Sequence, residues 1–110
     1  MDINEIVREE NFKFNIITAA KIIISRHLGG LNPDLLVVKS QYTDKTKVVL
    51  ELFGVSDKCK IGDTFITYSI LYDRLTRGWS FTELLGETGI AIGHWAIKGD
   101  RDNERSNDKV

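Results

Sequence analysis

The chain has 110 residues, enough for one small domain or for two very small modules that share a core. Apolar residues make up 42% and charged residues 28%, a balance that argues against global disorder. The formal net charge of −1 supplies no overall attraction to phosphate, so any nucleic-acid contact has to come from a local basic patch.

Cys59 is the single cysteine, which excludes an intramolecular disulfide and a cysteine-based zinc site. With no low-pKa setting around it in the sequence, it reads as a structural or incidental thiol. The first ten residues, M-D-I-N-E-I-V-R-E-E, are acidic where a secretory signal needs a basic start. The most apolar run, residues 16–28, is interrupted by Thr18, Lys21, Ser25, Arg26 and His27. It falls short of the roughly 18–20 apolar residues that cross a bilayer. The expectation is a cytoplasmic protein that makes no membrane contact.

Residues 2–10 read as a short acidic helix with Asp2 or Asn4 at its N-cap. Residues 15–28 form a stronger helix, apolar at Ile16, Ala19, Ala20, Ile23, Ile24 and Leu28, and apolar around enough of its circumference to be central to the core. Gly29-Gly30 closes it, because glycine accepts the left-handed conformation. Asn32 and Pro33 fit the cap and first turn of another short helix. The segment 34–53 is ambiguous. L-L-V-V-K-S-Q and K-V-V-L-E-L-F form two strands of a hairpin through Y-T-D-K, or Thr43 or Asp44 caps a helix that runs to Phe53 and stops at Gly54. Poor alternation in V-V-L-E-L-F favours the helix, with a β-hairpin over 35–53 as the alternative.

Residues 55–63 read as a loop. A helix then starts at Asp63 or Thr64 and runs to Arg77, with Phe65, Tyr68, Tyr72 and Leu75 towards the core and Thr67, Asp73, Arg74 and Arg77 off that stripe. Gly78 breaks it, and Ser80 with Glu83 has the spacing of a capping box for a following helix. Trp79 is expected to lock those two helices together, and Trp95 to pack rather than to stand exposed. Residues 86–99 hold four glycines and no clear period, and the polar stretch from residue 100 reads as a flexible tail. A weak internal repeat relates 15–36 to 63–85: Arg26 matches Arg74, Gly30 matches Gly78, Leu31 matches Trp79 and Asn32 matches Ser80.

The run S-I-L-Y-D-R-L-T-R-G-W-S-F-T-E-L-L resembles a small helix-turn-helix unit of bacteriophage regulators and of the DNA-binding regions of phage homing endonucleases. Tyr72, Arg74, Leu75, Arg77, Gly78, Trp79, Ser80, Glu83 and Leu84 occupy the places of that pattern, over about a fifth of the chain. The resemblance implies that the helix ending at Arg77 contacts DNA. The chain departs from the pattern where K-C-K-I-G-D-T-F-I separates the Gly-Val-Ser turn from that helix, and no second, catalytic module accompanies it. A competing register would make A-I-G-H-W-A-I-K the recognition helix, but Gly93 interrupts it and few of its side chains read bases.

For a DNA contact, Arg74 and Arg77 offer paired donors to phosphate or a guanine edge. Thr67, Ser69 and Tyr72 add hydroxyls, and Lys58 and Lys60 add charge if the fold brings them alongside. His27 suits a helix C-terminus and needs no other role. His27 and His94 have no metal-ligand spacing, and no nucleophile elbow, P-loop or dinucleotide fingerprint is present, so neither enzymatic activity nor a cofactor or metal is expected. The rival function is protein binding by an inhibitor, immunity protein or antitoxin, for which two tryptophans and mixed charge are suited. The sequence therefore predicts a mainly α single domain over residues 1–99 with a helix-turn-helix-like element at 64–86. Its expected function is regulatory binding of double-stranded DNA, of phage or prophage type, and a homodimer fits because one short element reads too few bases.

Overall fold

From residue 36 onward the chain folds as an antiparallel meander rather than as helices. The computed structural model describes residues 12–99. The acidic helix expected at 2–10 and the tail expected from residue 100 lie outside them. One α-helix, α1 (Phe12–His27), precedes six strands: β1 (Leu36–Thr43), β2 (Lys47–Gly54), β3 (Lys60–Ile61), β4 (Thr64–Asp73), β5 (Trp79–Leu85) and β6 (Ile90–Ile97). The main sheet runs β1-β2-β4-β5-β6 with every pairing antiparallel, and the short β3 pairs with the start of β4. The mainly α expectation is therefore wrong. The hairpin alternative for 35–53 describes β1 and β2, and the segment expected to be a helix-turn-helix at 64–86 is a second hairpin, β4–β5.

Alternation fixes which face is buried. Val48, Leu50 and Leu52 of β2, Ile66, Tyr68, Ile70 and Tyr72 of β4, and Trp79 and Phe81 of β5 all point to one side. Against them lies the stripe Ile16, Ala19, Ala20, Ile23 and Ile24 of α1, at the three- and four-residue spacing of one helix face. The two alanines let the helix backbone approach the sheet, while the isoleucines fill the space on either side. Gly29 and Gly30, both at positive φ, turn the chain out of α1, and the Gly30 N–H donates to the Ser25 carbonyl at 2.8 Å. A 3-10 turn at Pro33–Leu35, capped by the Asn32 side chain, then delivers β1. No helix among the described residues is long and apolar enough to cross a membrane.

The weak repeat does not carry into three dimensions. Residues 15–28 belong to a helix and its exit, whereas 63–85 belong to the β4–β5 hairpin, so Arg26 and Arg74 occupy unlike positions.

Both hairpins turn on an aspartate. Asp44 Oδ1 accepts from the Thr46 N–H at 2.8 Å, the Thr46 hydroxyl at 2.9 Å and the Lys47 N–H at 2.9 Å. These bonds hold the carboxyl well below the usual carboxylate range, with the Thr46 backbone contact the largest cause. A depressed folded-state pKa means that this contribution is complete above the unfolded value of about 4 and is lost as pH falls below it. Asp44→Ala should therefore lower the melting temperature at neutral pH more than Asp44→Asn, which keeps an acceptor oxygen. Thermal melts from pH 7 down to pH 2 should show the wild type converging on the alanine variant only at the acid end.

Candidate functional site

The seven residues expected to touch DNA do not share a surface. Tyr72 is buried on the helix-covered face, its ring 4.7 Å from that of Trp79. Thr67 and Ser69 point to the opposite face, with Thr67 buried there and Ser69 half-buried. Arg74 and Arg77 sit in the β4–β5 turn. The Arg74 guanidinium donates to the Asp44 carbonyl at 2.8 Å and the Arg74 backbone N–H donates to the Thr46 carbonyl at 2.8 Å, so the residue fastens one hairpin turn to the other. Arg77 adopts the left-handed conformation at φ 64°. Lys58 and Lys60 lie at the far end of β4, where the Lys60 ammonium stands 4.8 Å from the centre of the Phe65 ring. At 3.3 Å per residue, β4 separates the lysine pair from the arginine pair by roughly 25 Å. No helix links them, so the recognition element inferred from the resemblance is absent.

A second grouping, which joins a histidine, a carboxylate and aromatic rings, lies where α1 ends over β5. His27 Nε2 is 3.1 Å from Glu83 Oε2, and the His27 ring packs against Phe81 (5.1 Å, edge-on) and Trp95 (4.3 Å). The Trp95 ring stacks on Phe81 at 5.1 Å and folds back across Gly93, where a Cβ would run into the indole. Tyr68 is the cross-strand neighbour of Glu83. Its hydroxyl is buried close to the Glu83 carboxylate but outside good hydrogen-bonding geometry with it. Burial first, and the nearby Glu83 charge second, push its pKa above the ordinary phenol value. A histidine, a carboxylate and a phenol are ingredients of acid–base chemistry, but here they close the end of the core. No group of three metal-ligating side chains exists among the described residues. The S-x-x-E spacing of Ser80 and Glu83, which reads as a helix cap, hides this cluster in the sequence. The alternation Trp79, Phe81, Glu83 was the signal that could have found it.

The other face of the sheet presents a different surface. No described element packs on it. The strand registers lay its side chains out in rows: Val37, Phe53, Thr67, Leu84 and Ala91; then Ser40, Glu51, Ser69, Thr82 and His94; then Tyr42, Val49, Leu71, Ser80 and Ala96. The middle row is polar, with the Ser40 hydroxyl donating to Glu51 at 2.8 Å and Thr82 bonded to His94 at 2.9 Å. The rows on either side are largely apolar. At the end of the first row, Phe53, Phe65 and Thr67 line a cavity of about 420 Å³ with Lys39 and Asp63 among its other walls. Val37, Phe65, Leu71 and Tyr42 are each more than a third exposed. A face with apolar side chains, one polar stripe and few charges has the make-up of a protein contact rather than of a phosphate-binding surface.

A scan against protein-family models, and searches of curated proteins and of solved structures, find no match to this chain.

Two substitutions test the helix-side cluster. Tyr68→Phe removes an unpaired buried hydroxyl and should raise stability by about 1 kcal/mol in denaturant unfolding; a loss of that size would mean the phenol is bonded to Glu83. Gly93→Ala should expel the Trp95 ring from Phe81, read as loss of near-ultraviolet circular dichroism with the far-ultraviolet β-signal retained.

Proposed function

We propose that this chain is a protein-binding module, of the inhibitor, immunity-protein or antitoxin kind, that meets its partner through the open face of the sheet. The observation that carries this reading is the apolar row Val37–Phe53–Thr67–Leu84 with the adjoining cavity, uncovered by any described element. A partner's apolar side chain seated between Phe53 and Phe65 would be the anchor, and the polar row would give the contact its register. The near-neutral charge supports the same reading, since an approach to phosphate depends on a concentrated positive field. The DNA-binding reading depended on a helix ending at Arg77. With a strand and a turn in that place, no observation of the site favours it.

The test uses bait variants. Wild-type protein should retain a specific partner from its native lysate. Val37→Glu and Phe65→Glu should weaken that complex at least tenfold, about 1.4 kcal/mol, while Arg26→Glu on the exposed side of α1 should not. A parallel salt titration on duplex DNA should find no steep dependence. Affinity that falls sharply with salt and is lost in the Arg74→Ala, Arg77→Ala double variant would overturn the protein-binding reading in favour of DNA.

A further inference from the structure

The two edges of the sheet are treated differently by the sequence. Strand β1 is an edge strand whose register shifts between Val38 and Ser40, so that Lys39 stands at a bulge. A bulge with a lysine is a usual device for blocking strand addition. Strand β6 is the other edge, bonded to β5 on one side and to no described strand on the other. Its sequence, I-A-I-G-H-W-A-I, has no Asp, Glu, Lys or Arg in a chain in which 28% of residues are charged. Ile90, Ile92, Trp95 and Ile97 are between 38% and 58% exposed. The irregularity between Glu83 and Leu84 confines β6's bulge to its first half, leaving Gly93 to Ile97 in regular register.

Hydrogen-bond alternation shows which backbone groups of β6 face outward. The Asp44 N–H donates to the Lys47 carbonyl, and the Asp73 N–H to the Gly78 carbonyl, both at 2.9 Å. Antiparallel ladders alternate bonded and non-bonded pairs, so these two turns set the phase for every strand. Carried through the registers, the phase gives Gly93, Trp95 and Ile97 to β5. The N–H and C=O groups of His94 and Ala96 are then the outward-facing donors and acceptors.

We infer that β6 is a self-association edge, and that two copies of this chain pair β6 with β6 antiparallel about a two-fold axis near His94 and Trp95. Charge selects a second copy over an unrelated strand. An uncharged strand meets no like charge when it faces itself, and it offers no charge by which a different partner could be recognised. The pairing also closes, because it consumes both β6 edges and leaves the two β1 edges, with Lys39 and the bulge, as the ends. The axis runs perpendicular to the sheet, so both helices lie on one side and both open faces form one surface on the other. The side chains of β6 stand above and below the sheet rather than along its edge, so the joint rests on the backbone ladder and the dimer depends on concentration. This inference stands apart from what the open face binds.

Sedimentation of the full chain over a range of concentrations should show a species of twice the chain mass growing in. Ala96→Pro removes an outward N–H without touching the β5 ladder and should hold the protein at single-chain mass with its β-sheet signal intact. Ala96→Lys should do the same by placing like charges together at the joint, and Ser40→Lys on β1 should leave the dimer unchanged. Amide exchange on the unaltered protein gives a measurement that needs no variant. Raising concentration should slow exchange at His94 and Ala96 and leave Gly93 and Trp95 as they were. A wild type that stays at single-chain mass up to its solubility limit would overturn the inference. So would a dimer that persists in the folded Ala96 variants, or one in which the His94 and Ala96 amides still exchange freely.

Discussion

One helix has to cover a sheet wider than itself, and most of the structure follows from that mismatch. Five strands at about 4.8 Å spacing span about 19 Å from first to last, whereas a helix with its side chains is about 10 Å across. The stripe Ile16, Ala19, Ala20, Ile23 and Ile24 therefore seals the central strands, where Leu50, Leu52, Tyr68 and Ile70 are almost wholly buried. It cannot seal β6. The molecule closes that side with aromatic rings: Trp95 bends over Gly93 onto Phe81, and His27 at the end of α1 packs on both rings and reaches Glu83. Even so, Trp95 and Ile97 remain well exposed. The second face has no described cover at all, which leaves its apolar rows available for a partner.

The arginines that resembled a DNA-reading pair have work inside the fold. Asp44 and Asp73 each fold a hairpin turn around a carboxylate: Asp73 Oδ1 accepts the Leu75 N–H at 2.8 Å and the Thr76 N–H at 3.2 Å. Arg74 joins the two turns through the Asp44 and Thr46 carbonyls. The Gly78-Trp79 break that looked like the corner between two helices is the exit of the second of these turns. Arg77 takes the left-handed residue and Trp79 begins β5 on the buried side.

How much was legible in the sequence depended on which period each segment supported. The helix at 15–28, its Gly29-Gly30 stop and the Asn32-Pro33 turn were readable because Ile16, Ala19, Ala20, Ile23 and Ile24 fit a helical stripe and no alternating one. In T-F-I-T-Y-S-I-L-Y-D, Phe65, Tyr68 and Tyr72 also fall at helical spacing, yet Ile66, Tyr68, Ile70 and Tyr72 alternate, and the β-branched and aromatic content favours the strand. Ser80 and Glu83 had the separation of a capping box, but in β5 they point to opposite faces. The same confusion hid β2, where Val48, Leu50 and Leu52 alternate beneath a second set, Val49 and Phe53, that is half-buried on the open face. A strand apolar on both sides loses the polar half of its pattern, which is why V-V-L-E-L-F read as helix. Of the candidate contact residues, Thr67 and Ser69 lie on the open side of the sheet, Thr67 buried and Ser69 half-buried there, while Tyr72 is in the core and the cations are split between opposite ends of β4.

Helix α1 shields one face of this sheet, and the described elements leave the reverse face open to solvent. Nuclear magnetic resonance with a soluble paramagnetic agent tests it directly. Side-chain signals of Val37, Phe65 and Leu71 should be strongly attenuated, and those of Ile24, Leu50 and Ile70 should be spared. Equal protection of both sets in the isolated protein would contradict the account, because the reverse face would then already be covered.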